Sequence, residues 1–183
     1  MPFEIIIQLY YTPYLVSLDL YNIELFFEGC KPSLITEIKS SSCSASTEHN
    51  SAYICENAYD GDTAKQWATL NQGVGAWIKI NFEGLYRLTK ISVMQRPYDE
   101  YFKEISIEFT DGTPVDFTLP YTYPSHDWAD IDLTDYPDMI TTGYVNISVK
   151  SVYREANNGF SEVKVYGCGA GKITYLNLLL SCL

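Results

Sequence analysis

The feature that most constrains this sequence is the alternation of apolar and polar residues in several short segments. In "AWIKINF", Ile78, Ile80 and Phe82 fall on one face, and Trp77, Lys79 and Asn81 fall on the other. A period of two residues is typical of a β-strand that buries one face. No segment in this part of the chain keeps a helical period for three turns, so the pattern predicts a β protein.

Three further segments extend this pattern to four more predicted strands. "EISIEFTDGTPVDFTL" predicts two strands joined at Asp111-Gly112, a dipeptide typical of a hairpin turn. "YVNISVKSVY" and "SEVKVYGC" alternate in the same way. The residues predicted to point inward are Ile105, Ile107, Phe109, Val115, Phe117, Leu119, Val145, Ile147, Val149, Val152, Val163 and Val165. Short antiparallel strands at this spacing favour a β-sandwich or jelly roll.

Composition limits the size of the fold and the class of partner. The chain has 183 residues, of which 46% are hydrophobic and 15% aromatic, which is enough for one domain with a core. Its formal net charge of -11 repels phosphate groups. We therefore expect neither nucleic acid nor anionic phospholipid as a partner. A surface of this charge favours metal cations and neutral ligands such as sugars.

Five cysteines are present, and no CxxC motif occurs, which argues against a zinc ribbon or a thioredoxin-like centre. Cys43 and Cys55 flank a short polar stretch, and Cys30 and Cys168 bracket the patterned region. Disulfides fit both pairs and imply an oxidising compartment. The alternative is four free, buried thiols. Disulfides are favoured because these cysteines lie at segment ends; Cys182 is left over.

The two ends of the chain differ from the region between them. Residues 1–29 are apolar and aromatic but contain no Lys or Arg, and Glu4, Pro13 and Asp19 interrupt them, so they do not match a secretory signal. Their uninterrupted apolar runs are too short to span a bilayer, as is the final segment. The sequence thus predicts an N-terminal extension at 1–29, a domain at 30–168 and a short apolar tail at 169–183.

Motifs of catalysis are missing. "GCGAGKIT" lacks the first glycine and the final Ser or Thr of a phosphate-binding loop, and neither GxSxG nor HExxH occurs. The two histidines, His49 and His126, lie in polar stretches. Carboxylate pairs are plentiful, but in so acidic a chain they arise by chance. The sequence therefore favours a binding module over an enzyme.

Several segments together carry a family resemblance. "SCSASTEHNSAYICENAYDGDTAKQWAT", "GVGAWIKINF", "YRLTKISVMQR", "EISIEFTDGT" and "NNGFSEVKVYGC" follow one another as in a discoidin domain, or coagulation-factor type C domain. The resemblance covers Cys30 to Cys168 and places the chain in the galactose-binding-domain-like superfamily. It implies an all-β fold, an eight-stranded antiparallel jelly-roll β-sandwich with adjacent termini. A Cys30–Cys168 bridge fits that geometry, and a Cys43–Cys55 bridge would staple the loop before the acidic turn.

The acidic turn "NAYDGD" is the first candidate site. Ca²⁺ prefers carboxylates mixed with carbonyl oxygens, and a turn through a glycine can aim several carbonyls at one point. In similar domains this turn binds a structural Ca²⁺ that a glutamate from the last strand completes. The resemblance implies the carbonyls of Asn57, Asp62 and Ser161, the side chains of Asp60 and Glu162, and an oxygen of Thr69. The alternative is an Asx-turn satisfied by its own amides, with Glu162 on the surface.

The second candidate site lies on loops at one rim of the predicted sandwich, in "QRPYDEYFK" and "YREANNGF". Arg and Asn side chains can hydrogen-bond to hydroxyls, and aromatic rings can pack against a sugar. The predicted ligand-binding residues are Arg96, Tyr98, Asp99, Tyr101, Arg154, Asn157, Asn158 and Phe160. Two alternatives stay open: a salt bridge between Arg96 and Asp99, and a core position for Phe160.

Fucose-binding relatives carry a histidine upstream of an R-x-D-type motif, but the region around Leu70 to Gln72 contains none. Specificity for fucose is therefore not predicted.

Taken together, the residues and the resemblance predict an extracellular, non-catalytic, lectin-like or adhesion module with a structural Ca²⁺ site, which binds a glycan or glycoprotein. The alternatives are a protein–protein adhesion module of the same fold and an accessory binding domain of a larger secreted enzyme.

The only sequon, "NIS", begins at Asn146. Val145 and Ile147 share the apolar face of this strand, so Asn146 is predicted to face outward, where it can be glycosylated.

Overall fold

The computed structural model describes residues 30–110, 112, 114–136, 141–154 and 156–169. The predicted extension at 1–29 and all but the first residue of the tail at 169–183 lie outside the described residues, as do Cys182 and Asp111. In the ranges that are described, no helix is long and apolar enough to cross a membrane.

The described residues form nine strands, and the only helical segments among them are short 3-10 turns at Pro32–Leu34 and Cys55–Ala58. The prediction of an all-β fold is therefore confirmed. The strands are β1 (Thr36–Glu37), β2 (Ser40–Ala45), β3 (Trp67–Ala68), β4 (Trp77–Gln95), β5 (Phe102–Glu108), β6 (Pro114–Thr118), β7 (Ala129–Asp132), β8 (Thr141–Val152) and β9 (Gly159–Gly169). The resemblance implied eight strands; the described region has nine, of which β1 and β3 contain only two residues each.

The 19-residue strand β4 belongs to both layers of the sandwich. Its first part, from Trp77 to Asn81, pairs with β2 and β8, and its last part, from Tyr86 to Gln95, pairs chiefly with β7 and β9. Between these parts the register with β8 shifts. One layer thus has the order β2-β4-β8-β5-β6, while the other joins β7, β4 and β9 with β1 and β3 on the far side of β9. All of these pairings are antiparallel.

The core is built from the alternating residues that the sequence indicates. Thirteen predicted inward positions are buried: Ile78, Ile80, Phe82, Ile105, Ile107, Phe109, Val115, Leu119, Val145, Ile147, Val149, Val163 and Val165. Phe117 and Val152 are only half-buried. Phe117 lies on the edge strand β6, where its ring packs edge-on against Tyr136. The predicted hairpin forms as β5 paired with β6.

Both predicted disulfides are present. Cys30 and Cys168 are joined with their Cα atoms 5.8 Å apart, and Cys43 and Cys55 with theirs 6.1 Å apart. The first bridge spans 138 positions and holds the two ends of the domain together. In the loop-entropy model such a closure stabilises the fold by about 5 kcal/mol, and the short Cys43–Cys55 loop by about 3 kcal/mol.

Asn146 faces outward, as its strand register predicts, because its neighbours Val145 and Ile147 are fully buried. It lies opposite Lys79 on one side and Glu108 on the other. The residue is half-buried, and its Oδ1 is shielded from solvent without a hydrogen-bond partner in the described part of the chain. Glycosylation of Asn146 stays a prediction.

Candidate functional site

The acidic turn starts within the 3-10 turn Cys55–Ala58 and continues to Asp62. Gly61 has a φ of 83°, in the left-handed region that glycine adopts at little cost. Asp60 Oδ1 accepts a hydrogen bond from the Asp62 backbone N–H at 2.8 Å, which is the Asx-turn of the alternative interpretation. Asp60 Oδ2 accepts from the Lys65 ammonium at 2.9 Å. The turn is therefore partly satisfied from within.

The other half of that alternative is wrong, because Glu162 is not on the surface. It lies in β9 with 1% of its surface exposed. The Gly61 backbone N–H donates to both of its carboxylate oxygens, at 3.3 and 3.2 Å. The fold thus brings the turn and the last strand together across 101 sequence positions.

The remaining predicted ligands are oriented by hydrogen bonds of their own. The Asn57 side-chain amide donates to the carbonyls of Ala52 and Gln66, at 2.9 and 3.0 Å. The Asn57 ligand for a cation would therefore be its backbone carbonyl, as predicted. Thr69 and Ser161 are buried. The Asp62 carbonyl already accepts from the Lys65 backbone N–H at 2.9 Å and keeps one lone pair.

The electrostatics of the turn centre on Glu162. Burial, aided by the charge of Asp60, raises the pKa of Glu162 from 4.5 to about 7, although the Gly61 N–H opposes the shift. Among the described residues, no ion pair includes Glu162. The hydrogen bonds from Lys65 and from the Asp62 amide hold the pKa of Asp60 below its usual value, against the effect of its burial. A buried carboxylate without a cationic partner is costly, and an all-oxygen set with two carboxylates fits Ca²⁺.

Arg96 organises the rim rather than facing outward. It follows β4 and is 5% exposed. Its Nε donates to Gln66 Oε1 at 2.9 Å, and its Nη1 donates to Glu100 Oε2 at 2.8 Å and to the Asn157 carbonyl. Burial lowers the pKa of Arg96, although Glu100 opposes the shift. The salt bridge is therefore with Glu100, where the sequence suggested Asp99 as the alternative to ligand contact.

Three further predicted ligand contacts are corrected by burial. Tyr101 and Phe160 are fully buried, so neither ring offers an open face. Phe160 lies in β9 and packs against Trp67, 6.1 Å between ring centroids, which is the core position left open above. Asn158 is also buried: its amide donates to the Arg154 carbonyl at 2.9 Å and its Oδ1 accepts from the Ala156 N–H at 3.0 Å. Asn158 therefore shapes the loop, and its burial keeps its side chain away from an external ligand.

Four of the predicted residues remain accessible at the rim. The Tyr98 ring is 50% exposed, and its face lies over the Arg96 guanidinium, 5.0 Å from the ring centroid. Arg154 Nη1 donates to Asp99 Oδ2 at 3.0 Å, and the Arg154 side chain is 67% exposed. Asn157 Oδ1 accepts from the Asn71 N–H at 3.0 Å, which fixes its orientation. This group presents an aromatic ring, a carboxylate and an arginine within one stretch of surface.

Three exposed tyrosines beside these residues were not predicted as ligand contacts from the sequence. Tyr121 donates a short hydrogen bond to Asp99 Oδ1, and this bond raises the pKa of Tyr121 to about 12. The rings of Tyr123 and Tyr153 both contact the ring of Tyr121. Tyr121 and Tyr123 lie in the aromatic-rich loop "YTYPSHDW", and Tyr153 begins the candidate rim segment "YREANNGF", but neither segment alone shows which rings are exposed.

The acidic turn and the rim are joined by hydrogen bonds. Gln66 links them directly, since its carbonyl accepts from the Asn57 amide and its side-chain oxygen accepts from Arg96. A second link is the Thr69 backbone N–H, which donates to the Asn158 carbonyl at 2.9 Å. The turn and the rim loops therefore belong to one hydrogen-bonded network.

Solved structures share this fold. The F5/8 type C domain of a Bacteroides fragilis protein has a TM-score of 0.57 and 19% identity, covering 75% of this chain and 99% of that one. The family 32 CBM from C. perfringens NanJ, solved with galactose, has a TM-score of 0.54 and 15% identity, covering 73% and 94%. A chitosan-binding module 2 from a chitosanase/glucanase of Paenibacillus sp. IK-5, solved with chitotriose, has a TM-score of 0.53 and 20% identity, covering 69% and 95%. The predicted galactose-binding-like β-sandwich is thus confirmed.

No curated protein matches the sequence. One family model matches residues 33–166, which is most of the chain and nearly the whole of the described domain. The chain therefore belongs to the family described as a domain of unknown function, DUF7402, and has the galactose-binding-like fold of discoidin domains.

Proposed function

We propose that this chain is a non-catalytic carbohydrate-binding module whose ligand contacts the accessible rim residues Tyr98, Asp99, Arg154 and Asn157. The observation that carries this is the exposed Tyr98 ring next to the Arg154–Asp99 pair. A sugar presents apolar C–H groups on its ring faces and hydroxyls at its edge. An aromatic face can pack against the former, and a guanidinium and a carboxylate can hydrogen-bond to the latter.

The solved structures of this fold support the proposal. Two of the three described above hold a sugar, galactose in one and chitotriose in the other. With identities of 15% and 20%, the likeness supports a class of ligand and not a particular sugar. The net charge of -11 favours neutral or cationic sugars over anionic ones.

The proposal includes a structural Ca²⁺ site at the acidic turn. The side chains of Asp60 and Glu162, the carbonyls of Asn57, Asp62 and Ser161, and an oxygen of Thr69 would hold the ion. Bound there, the cation supplies the positive charge that the buried Glu162 otherwise lacks and ties the turn to the last strand. Because Gln66 links the turn to Arg96, the ion would also stabilise the rim.

The proposed location is extracellular. Disulfides persist in oxidising compartments and are rare in the cytosol. The two bridges described above, together with a ligand of glycan or glycoprotein type, support a secreted or surface-exposed module.

A second candidate is an accessory binding domain within a larger secreted enzyme. The observation in its favour is that the Paenibacillus module of the same fold derives from a chitosanase/glucanase. This candidate keeps the same rim and the same ligand class. A full-length transcript that joins this region to a catalytic domain would separate the two.

A glycan array tests the ligand class. We expect the protein to bind a subset of immobilised glycans, and free sugar of the same kind to abolish that binding. Arg154→Ala should weaken the signal at least tenfold, since it removes an exposed guanidinium from the rim. Lys150→Ala is the matched control, because Lys150 is an exposed cation on β8 paired with Asp116, outside the rim loops. Binding to no glycan, together with capture of a purified protein ligand, would support the adhesion module instead.

Thermal melting tests the cation. Ca²⁺ should raise the melting temperature and EDTA should lower it, because a bound ion stabilises the fold by about 2.7 kcal/mol at a hundred times its dissociation constant. Asp60→Ala and Glu162→Ala should each remove most of this response, and Arg154→Ala should leave it intact. Mg²⁺ should substitute poorly, because it requires a small octahedral shell and gives up its waters reluctantly. Equal melting temperatures in Ca²⁺ and EDTA would overturn the proposed site.

A further inference from the structure

Three exposed tyrosines form a continuous patch next to the rim. The side chains of Tyr121, Tyr123 and Tyr153 are 46%, 44% and 40% exposed. The Tyr121 ring centroid lies 5.1 Å from that of Tyr153 and 6.4 Å from that of Tyr123. Tyr121 thus lies between the other two, and we call these three rings the tyrosine patch. An exposed patch of aromatic rings often marks a binding surface.

The patch is held in place from below. The fully buried Tyr101 contacts Tyr121 and Tyr123, with ring centroids 5.4 and 6.5 Å apart. The Tyr101 hydroxyl is hydrogen-bonded to His126 Nδ1 at 2.8 Å. Because this bond and its burial hold Tyr101 in place, the rings of Tyr121 and Tyr123 pack against an ordered side chain.

The hydroxyls of two outer rings are also committed. Tyr153 donates to the Leu119 carbonyl at 3.0 Å, and Tyr121 donates to Asp99 Oδ1. These bonds fix the tilt of each ring while leaving part of each face in solvent. A surface that is already ordered loses little side-chain entropy when a ligand binds.

Asp99 connects the patch to the proposed sugar site. One of its carboxylate oxygens accepts from Tyr121 and the other from Arg154. Tyr153 and Arg154 are adjacent in the chain. The patch is therefore a continuation of the rim, and a ligand that contacts Arg154 has room to extend over these tyrosines.

The charges around the patch bear on the class of sugar. Arg154 is paired with Asp99, and Arg96 is buried and paired with Glu100. Asp127 accepts from the Ser125 hydroxyl, and among the described residues no ion pair includes it. The net charge around the patch is therefore negative, as is that of the whole chain, and it disfavours anionic sugars.

We infer that the tyrosine patch supplies additional subsites for an oligosaccharide, so that the rim binds chains of neutral or amino sugars more tightly than a single sugar unit. This inference rests on the proposed function. Each further aromatic contact adds up to about a tenfold gain in affinity. The occupant is a glycan chain because the patch continues a surface whose Arg–Asp pair suits hydroxyl groups.

Calorimetry with sugars of increasing length tests the inference. The probes are the monosaccharide, trisaccharide and hexasaccharide of glucosamine, N-acetylglucosamine and galacturonic acid. We expect at least one of the first two series to bind about tenfold more tightly as the trisaccharide than as the monosaccharide. The galacturonic acid series should bind more weakly at every length.

Substitutions in the tyrosine patch test whether these rings cause the gain in affinity with chain length. Tyr123→Ala, which removes an exposed ring, should remove most of the gain from chain length while leaving monosaccharide binding within about twofold of wild type. Tyr121→Ala should also remove most of the gain. Tyr121→Phe keeps the ring and should keep the gain, which separates loss of the face from loss of the hydroxyl. Trp77→Ala is the matched control, because it removes an exposed aromatic side chain from β4, outside the patch.

The possible outcomes distinguish this inference from the proposed function. If monosaccharides bind and longer chains bind no more tightly, the additional subsites are refuted and the sugar module stands. A chain-length gain that survives both alanine substitutions also refutes the patch as its source. If no series binds and the glycan array is blank, the proposed function fails, and this inference fails with it.

Discussion

Replacing the buried Glu162 with glutamine should stabilise the Ca²⁺-free protein above neutral pH. Glu162 is 1% exposed, has no ion pair among the described residues, and has a pKa of about 7 in the folded protein against an ordinary 4.5. Its raised pKa means that the fold prefers the protonated form. The stability contributed by that form is fully present below pH 4.5 and is lost as pH rises through 7.

The size of the expected gain in stability follows from the raised pKa of Glu162. At about 1.4 kcal/mol per pKa unit, the charged carboxylate costs the fold about 3 kcal/mol above pH 7. Glutamine has nearly the same shape, and its side-chain oxygen can still accept from the Gly61 N–H. Its amide nitrogen, if left without an acceptor, costs about 1 kcal/mol. The net gain of Glu162→Gln in EDTA at pH 8 is therefore about 2 kcal/mol.

Urea unfolding of both proteins, with disulfides intact, measures this gain. In EDTA at pH 8 the variant should have the higher free energy of unfolding, and at pH 4 its advantage should disappear because Glu162 is then protonated in the wild type. In saturating Ca²⁺ at pH 8 the order should invert, since only the wild type keeps both carboxylates for the ion. Glu83→Gln, at an exposed carboxylate, should change stability by less than about 0.5 kcal/mol.

Two results would refute this reasoning. If Glu162→Gln is less stable than wild type in EDTA at pH 8, the charged carboxylate is not a cost to the fold. If the variant gains as much stability from Ca²⁺ as the wild type does, Glu162 is not a ligand of the ion.

Three further predictions concern other parts of the domain. Lys65→Gln should raise Ca²⁺ affinity by about threefold in calorimetry, because Lys65 is a competing cation on Asp60; unchanged or weaker binding would contradict this. Gly159→Ala should lower the free energy of unfolding in urea by about 2 kcal/mol or more, since an added Cβ would lie 2.0 Å from the Trp67 carbonyl oxygen. A urea midpoint equal to that of the wild type would show that the β3–β9 contact is looser than described. Secreted protein from a glycosylating host should carry a glycan at Asn146, seen as a mass shift that glycosidase removes; a wholly unmodified asparagine would indicate that its half-buried setting blocks the modification.

Local chemistry alone predicted much of the fold. Ile78 and Ile80, like Ile105 and Ile107, are buried as their alternation indicates, because the side chains of a strand point to opposite faces at every second residue. The β5–β6 hairpin was equally predictable, since a turn residue and two flanking strands are neighbours in the chain. The two cysteine pairs were correctly predicted as disulfides, although Cys43 lies within β2 and not at a segment end.

Only the tertiary structure determined which loop residues are buried and which are exposed, because loop residues have no period that indicates an inner face. Tyr101 and Phe160 are buried while Tyr121 and Tyr153 are exposed, although all four are aromatic residues in or beside rim loops. Phe160 is buried because β9 pairs with β3, which places its ring against Trp67.

The contact between the acidic turn and Glu162 was likewise decided by long-range pairing. The sequence offers a glycine turn and a distant glutamate, and only the resemblance to discoidin domains suggested that they meet. The pairing of β9 with the end of β4 sets Glu162 facing inward against the Gly61 N–H. Burial then raises its pKa, because the cost of a charge depends on the solvent that the rest of the fold excludes.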